Sequence, residues 1–355
     1  MRRARHGVKT MLLANLGRIA AIVCVLPVLL VGPAPGKDDA SWKVKPDVTG
    51  KDDEPSEDVS GIACTTSKGF PRSCLVIDDN LQKAQFVKLR DGRLVPGDTI
   101  KLIRNKFKKK KLELDGEGIA FSKGFYYVIG SHGHPRDSEK KLDPVDDRDK
   151  IDARIKASSQ IVRFRAKDGA DAKVEPTTNL KKIIATEPTL KDFVDQRLEK
   201  NGVTIEGIAI KDDTTLYAGF RGPVLEDEGK SRAVVLSAPL DSLFDGGAAP
   251  HKLFRLPLGP GRGVRDLASF KGGILILAGP AASEPGTYAI YWWDGKGEDV
   301  EPLAELTQFA PKRKPEALLP LDKSGTKLRV LIIFDSDENG APTPVEVLRP
   351  SIRDN

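Results

Sequence analysis

Sulfur and imidazole are scarce in this chain, whose 355 residues include three cysteines, two methionines and four histidines. Met1, Met11 and Cys24 all fall near the start, which leaves Cys64 and Cys74 as the cysteines of the remainder. Their spacing is not C-x-x-C, so thioredoxin-type redox chemistry and zinc ribbons lack support. A histidine zinc site has little to stand on either, because no third nitrogen ligand lies near His132 and His134 in sequence. An excess of one charge sign is also missing. The chain is formally +6, but Arg2, Arg3, Arg5, Lys9 and Arg18 sit in residues 1–36 with no acid among them. Beyond residue 36, 52 bases face 51 acids, so the electrostatic footprint of a nucleic-acid binder is absent and no such partner is expected. No P-loop, dinucleotide fingerprint or nucleophile elbow occurs.

Long hydrophobic runs are confined to one, IAAIVCVLPVLLVG at residues 19–32. It falls short of the ~20 residues of a membrane span and contains Pro27. A basic stretch precedes it and PAPG follows, which reads as a secretory signal peptide over residues 1–36, cut after Ala34 or Gly36. An uncleaved anchor is the alternative. The protein is thus expected to be periplasmic or secreted, with no integral span after cleavage. An oxidising compartment favours a disulfide between Cys64 and Cys74, in the neighbouring strands GIAC and SCLVID. Residues 37–58 are charged and turn-rich, a linker with one apolar island around Trp42 and Val44.

From residue 59 onwards the chain repeats itself. A polar–small–apolar–small motif opens each copy: Ser60-Gly61-Ile62-Ala63, Glu117-Gly118-Ile119-Ala120 and Glu206-Gly207-Ile208-Ala209, with weaker copies at Arg265-Asp266-Leu267-Ala268 and Glu316-Ala317-Leu318-Leu319. Up to three further β-rich runs follow each motif, such as ILILAGP, YAIYWWDG and VEPLAEL in the fourth copy. Four short strands per unit at a period near 50 residues is the signature of a propeller blade. The fold expected is all-β, a β-propeller over residues 59–350. It has five four-stranded blades, or six if one hides in the 89-residue step between the second and third copies. LKKIIA supplies the fourth strand of the second copy on this reading. The last copy lacks a fourth strand, which the island near Trp42 can supply to close the ring. One rim helix is expected over residues 189–200, with Leu190, Phe193, Val194 and Leu198 as its apolar face. The insertion at about residues 133–158 reads as a mobile surface loop.

Aligned copies give two polar columns. Ser60, Glu117, Glu206, Arg265 and Glu316 open the innermost strands and should ring the channel. Asp78, Asp79, Ser131, His132, Arg221, Asp335 and Asp337 end the next strands and should crown the same face. Such a ring either closes the channel with ion pairs or binds a small anion, a phosphorylated ligand or a metal. Arg136 and Arg221 can grip a phosphate bidentately. Asp335, Asp337, Asn339 and Glu346 fit the spacing of a calcium loop, although strands flank them and Pro342 interrupts; a hairpin turn on Asn339-Gly340 is the alternative. KFKKKK at residues 106–111 reads as a solvated hairpin, because acids follow at once. Of Trp292 and Trp293, one faces the core and one faces out, for sugar stacking or rim packing.

The motif set EGIA, IGSHG, AGFRGP, GVRDLA, YWWDG and IIFDSDENG resembles a family of exported bacterial β-propellers of unknown function, relatives of phytase-like esterase propellers. The resemblance spans roughly residues 59–349. It implies a propeller with a polar central channel and brings no established reaction. Two functions compete. One is a ligand-binding or interaction module of the cell envelope. The other is a calcium-assisted hydrolase, most plausibly a phosphoesterase, in which Glu117 or His132 moves the proton.

Overall fold

The structure, a computed structural model, describes residues 41–135, 142–246, 250–282, 285–309 and 311–351. The signal-peptide reading and Arg136 lie outside these residues. Among the described residues no helix is long and apolar enough to cross a membrane. The fold is a five-bladed β-propeller.

Blade 1 is a meander of Val59–Cys64, Arg72–Asp78, Lys83–Arg90 and Arg93–Lys101. Blade 2 consists of Gly116–Ser122, Phe125–Gly130, Ile161–Arg165 and Glu175–Thr177. Blade 3 runs Thr204–Lys211, Thr215–Asp227, Lys230–Pro239 and Lys252–Leu256; blade 4 runs Arg262–Phe270, Gly273–Pro280, Ala289–Trp293 and Val300–Glu305. Blade 5 has three strands, Lys314–Ser324, Lys327–Asp335 and Thr343–Leu348. In each blade the first strand is innermost.

Blades bury both faces, which explains their nearly continuous apolar runs. In Gly273–Pro280, Ile274 and Ile276 pack towards blade 3, while Leu275 and Leu277 pack towards blade 5. Five hydrophobic clusters result, one at each interface between blades. Trp293 is fully buried at the interface of blades 3 and 4. Trp292 packs partly buried against the interface of blades 4 and 5 and donates to the Phe270 carbonyl, so it is rim packing rather than a sugar platform.

Four details differ from the sequence reading. The island near Trp42 does not complete blade 5. Its strand, Lys43–Val44, pairs in parallel with Arg93 and Leu94 at the outer edge of blade 1. Nor is LKKIIA a strand. Its apolar residues Leu180, Ile183 and Ile184 stand at helical spacing, and it forms most of helix α2 (Asn179–Thr186), while Glu175–Thr177 completes blade 2. The helix expected over residues 189–200 dissolves into two short 3₁₀ turns, Lys191–Phe193 and Leu198–Lys200. Its apolar face is still used: Leu190 and Leu198 are buried, and Phe193 and Val194 pack against the same core. The insertion is likewise ordered where described. Helix α1 (Arg148–Ser158) buries Ile151 and Ala157, an anchorage that a charge-dense segment hides from a compositional reading.

The lysine run behaves as read. Lys106–Phe107 pairs with Lys110–Lys111 across a turn in which Lys108 and Lys109 have positive φ. Cys64 and Cys74 face each other across the first two strands of blade 1 and form a disulfide.

Candidate functional site

The residue opening each innermost strand occupies the same backbone feature in all five blades. The pairing of the first two strands skips Ser60, Glu117, Glu206, Arg265 and Glu316, each in a β-bulge. A bulge leaves one residue outside the ladder and re-aims its side chain. Five repeats of it direct five side chains towards the axis. The small residue after four of them, Gly61, Gly118, Gly207 and Ala317, lets neighbouring strands approach closely. A Cβ on Gly207 would come within 2.8 Å of the Leu267 nitrogen in blade 4, and one on Gly118 within 3.1 Å of the Ile208 nitrogen in blade 3.

At the centre stands an unequal set of charges. Glu117, Glu206, Arg265 and Glu316 are all buried, and carboxylate oxygens from the three glutamates lie within 4.8 Å of one another. Arg265 pairs with Glu206 at 3.0 Å and donates a close hydrogen bond to Glu316. Arg221 donates to Glu206 at 3.0 Å. Glu117 receives no such help. Its Oε1 is buried with no hydrogen-bond partner. Burial, reinforced by Glu206, Asp115, Asp79 and Glu316, holds its carboxyl well above the usual range. Burial likewise raises Glu316 to about 7 against the pull of Arg265. Burial opposes the Arg265 charge, but Glu206 and Glu316 outweigh it and raise its pKa. Ser60 completes the ring, its hydroxyl donating to the Asp58 carbonyl.

Above the ring, towards blades 1 and 2, more acids collect. Asp58, Asp78 and Asp79 bring carboxylate oxygens within 4.8 Å of one another. Asp78 accepts from Ser56 and the Asn80 amide, yet burial lifts it to about 6. Asp79 Oδ1 has no hydrogen-bond partner. Burial, followed by Asp115, Asp58, Asp78 and Asp335, raises its pKa strongly. Beside these acids opens a cavity of about 160 Å³. Asn80 of blade 1, Asp115 and Ser131 of blade 2 and Thr204 of blade 3 line it, with His134. Arg154 and Ser158 of α1 form its wall, and Arg154 is fixed there by Glu113 at 2.8 Å. Ser131 donates to Asp115 in a short hydrogen bond. The insertion thus builds one side of the mouth.

The sequence matches a family described as protein of unknown function (DUF3616), over residues 72–164 and 144–346. The chain belongs to the DUF3616 family. No curated protein matches the sequence significantly. Solved structures similar to this DUF3616 chain include an exo-β-1,3-galactanase from Phanerochaete chrysosporium, at 11% identity and TM-score 0.47, covering 88% of this chain and 64% of the galactanase chain. They also include Bacillus subtilis arabinanase Arb43A, at 10% identity and TM-score 0.36, covering 82% and 94%. The β-propeller domain of Nup133 from Vanderwaltozyma polyspora is another, at 9% identity and TM-score 0.39, covering 82% and 70%. Likeness at this level says nothing of chemistry.

Several residues of the DUF3616 chain do work other than the sequence suggested. Each nitrogen of Arg221 already donates, to Glu206 and to the carbonyls of Ala281 and Ala282, so it is no phosphate clamp. His132 is buried with positive φ, and its Nδ1 bonds the Gly130 carbonyl. Burial lowers its pKa to about 4, and among charged side chains Lys181 is the one that acts on it. Its Nε2 is buried without a hydrogen-bond partner, and Ser131 and His134, not His132, line the cavity. The calcium-loop residues do not converge. Asp335 pairs with Lys314, Asp337 with Arg313, and Glu346 sits opposite Arg329 on the last strand. Asn339 spends its amide on Val48 and Asp47.

Sequence reasoning missed Asp115, Asp266, Tyr288 and Arg154. Asp266 stands where the first three copies carry glycine, and its carboxylate accepts from the amides of Leu267 and Leu318, tying blade 4 to blade 5. The break in the glycine pattern was its signal. Asp115 directly precedes the Gly116-Glu117 bulge. Tyr288, buried within electrostatic reach of Arg265, and Arg154 had none, since only folding brings them to the site.

Proposed function

We propose that this chain is an exported binding module of the cell envelope, which holds a small polar ligand at the acidic mouth of its propeller. The observation carrying this reading is the cavity built by three blades and α1. Its lining mixes acceptors (Asp115, Glu113) with donors and hydroxyls (Asn80, Ser131, Thr204, Arg154, His134). Its volume is about 160 Å³, so the bound moiety is small. The acids around the mouth disfavour a bare anion, and a phosphorylated ligand would have to bring or find a cation. Export rests on the run at residues 19–32 and agrees with the disulfide.

The second reading, a metal-assisted phosphoesterase, is favoured by one observation. The three glutamates beneath the cavity offer the oxygen donors that such a metal requires.

One panel of melting curves addresses both. Sugars, polyols, amino acids and phosphate esters are added to the purified protein, with calcium and with chelator. A saturable rise in Tm from at least one polar compound, lost in Ser131→Ala or Arg154→Ala, is the expected result. Phosphate release from the esters only when calcium is present would move the assignment to the enzyme. No shift from any compound removes the binding reading.

A further inference from the structure

We propose that the floor of the channel binds one hard divalent cation, Ca²⁺ by size, between the carboxylates of Glu117, Glu206 and Glu316. Three observations converge. Oxygen atoms of the three side chains lie within 4.8 Å of one another. Ca²⁺, the larger ion, takes oxygens at about 2.3–2.6 Å in flexible geometry and can bridge pairs at this spacing, whereas the smaller Mg²⁺ demands a near-octahedral shell and keeps several waters. Second, one buried carboxylate oxygen of these residues has no partner. Glu117 is 2% exposed and its Oε1 has no partner. Glu206 Oε2 lies 3.0 Å from Arg265 Nε in an ion pair without hydrogen-bond geometry, so Glu206 stays charged beside it.

The third observation is the charge balance. Arg221 and Arg265 supply two positive charges against three glutamates, and both approach from blades 3 and 4. On the other side the charges that act most strongly on Glu117 are Asp115, Asp79 and its fellow glutamates, all of them acids. Buried carboxylates are paired, protonated or bound to metal. Glu117 is not paired. A donor set made only of oxygens selects a hard ion over zinc or copper. Binding places the missing positive charge on the side that the arginines do not reach. Three of the five bulges hold the ligands from rigid strands, and no loop must close over them.

The site differs from the calcium loop read at Asp335–Glu346, which allows a direct comparison. Chelator-stripped protein is titrated with CaCl₂ by calorimetry and melted with and without calcium. The expected result is one site per chain and a calcium-dependent rise in Tm. Glu117→Gln keeps the shape of the protonated acid, so it should melt no lower than wild type without metal, lose the calcium-dependent rise and bind at least tenfold more weakly. Glu316→Gln should weaken binding as well, and it keeps the test open should Glu117→Gln fold poorly. Glu346→Gln should bind as wild type does. Failure of stripped wild type to bind calcium overturns the proposal, as does full binding by Glu117→Gln or loss of binding in Glu346→Gln. The cavity reading survives that failure, because its ligand titration in chelator is a separate measurement; the phosphoesterase reading does not.

Discussion

Glu316 and His132 pull the stability of this protein in opposite directions as pH changes. Glu316 is raised from 4.5 to about 7, and Asp78 from 3.8 to about 6, in both cases chiefly by burial. Between their unfolded and folded values the native state holds protons that the unfolded chain has released. Stability from these acids is therefore complete at low pH and is lost as pH rises through 6 and 7. His132, lowered from 6.5 to about 4, does the reverse. It refuses a proton that the unfolded chain accepts, and removes stability as pH falls below about 6.5. The window from pH 8 to 6.5 isolates the acids. In urea with chelator present, the unfolding midpoint should rise as pH is lowered across that window. Below pH 6 the gain should flatten as His132 begins to act. A midpoint that falls from pH 8 to 6.5 would mean that the ring carboxylates are compensated in the native state. Ordinary acid destabilisation comes from carboxylates that are paired when folded; here several are buried without a partner.

At the level of elements, the hairpin of Val59–Cys64 and Arg72–Asp78 shows what a local constraint adds. Cys64 and Cys74 are ten residues apart and directly cross-strand. A loop of that length, closed covalently, should stabilise the fold by about 2–3 kcal/mol on chain-entropy grounds. Replacing both cysteines with serine should lower the unfolding free energy, obtained from guanidinium midpoint and slope together, by that amount. A two-hydrogen mass increase on reduction verifies the bond. What the sequence made legible follows the same logic of locality. The blade motif was readable because a triplet of a polar residue, a small one and an apolar one recurs at the bulge in four of the five blades, with Asp266 replacing the small residue in blade 4. The ring residues Glu117, Glu206, Arg265 and Glu316 could be named from it. Residues 179–200 were misread because two apolar patterns compete there. Leu190, Phe193, Val194 and Leu198 satisfy helical spacing, yet the backbone closes successive i→i−3 bonds, Phe193 to Leu190, Gln196 to Phe193 and Lys200 to Arg197. The burial was therefore legible and the hydrogen-bond pattern was not. Arg154 was out of reach for a different reason: α1 has few apolar residues, and its place at the mouth is set by tertiary contact with Glu113.

For the molecule as a whole, the decisive question is how a ring whose last blade has only three strands stays closed. Residues 42–57 act as a clasp between its ends. Lys43–Val44 lies along blade 1 while the Trp42 amide donates to the Pro342 carbonyl beside blade 5. Trp42 and Val48 join the apolar cluster that holds blades 5 and 1 together. Asn339 is the tie. Its side chain accepts from the Val48 amide at 2.7 Å and donates to Asp47 at 2.9 Å, and its own amide donates to the Ser56 carbonyl at 2.6 Å. It also has φ of 57°, a conformation that asparagine tolerates better than most residues. This accounts for the DENG sequence without calcium. Two substitutions separate the two roles. Asn339→Gly loses the side-chain hydrogen bonds but keeps the backbone comfortable, and should cost about 1–3 kcal/mol for the stranded Val48 amide. Asn339→Ala loses the same bonds and adds about 1–2 kcal/mol of left-handed strain, so it should be the less stable of the pair. Hydrogen exchange then reports where the ring gives. If the clasp closes it, amides in residues 42–57 and in the strands of blade 5 should lose protection first, while blades 2 to 4 exchange as in wild type. Equal loss of protection in all five blades would show that closure rests on the packed innermost strands, with the clasp a covering for an interface that holds without it.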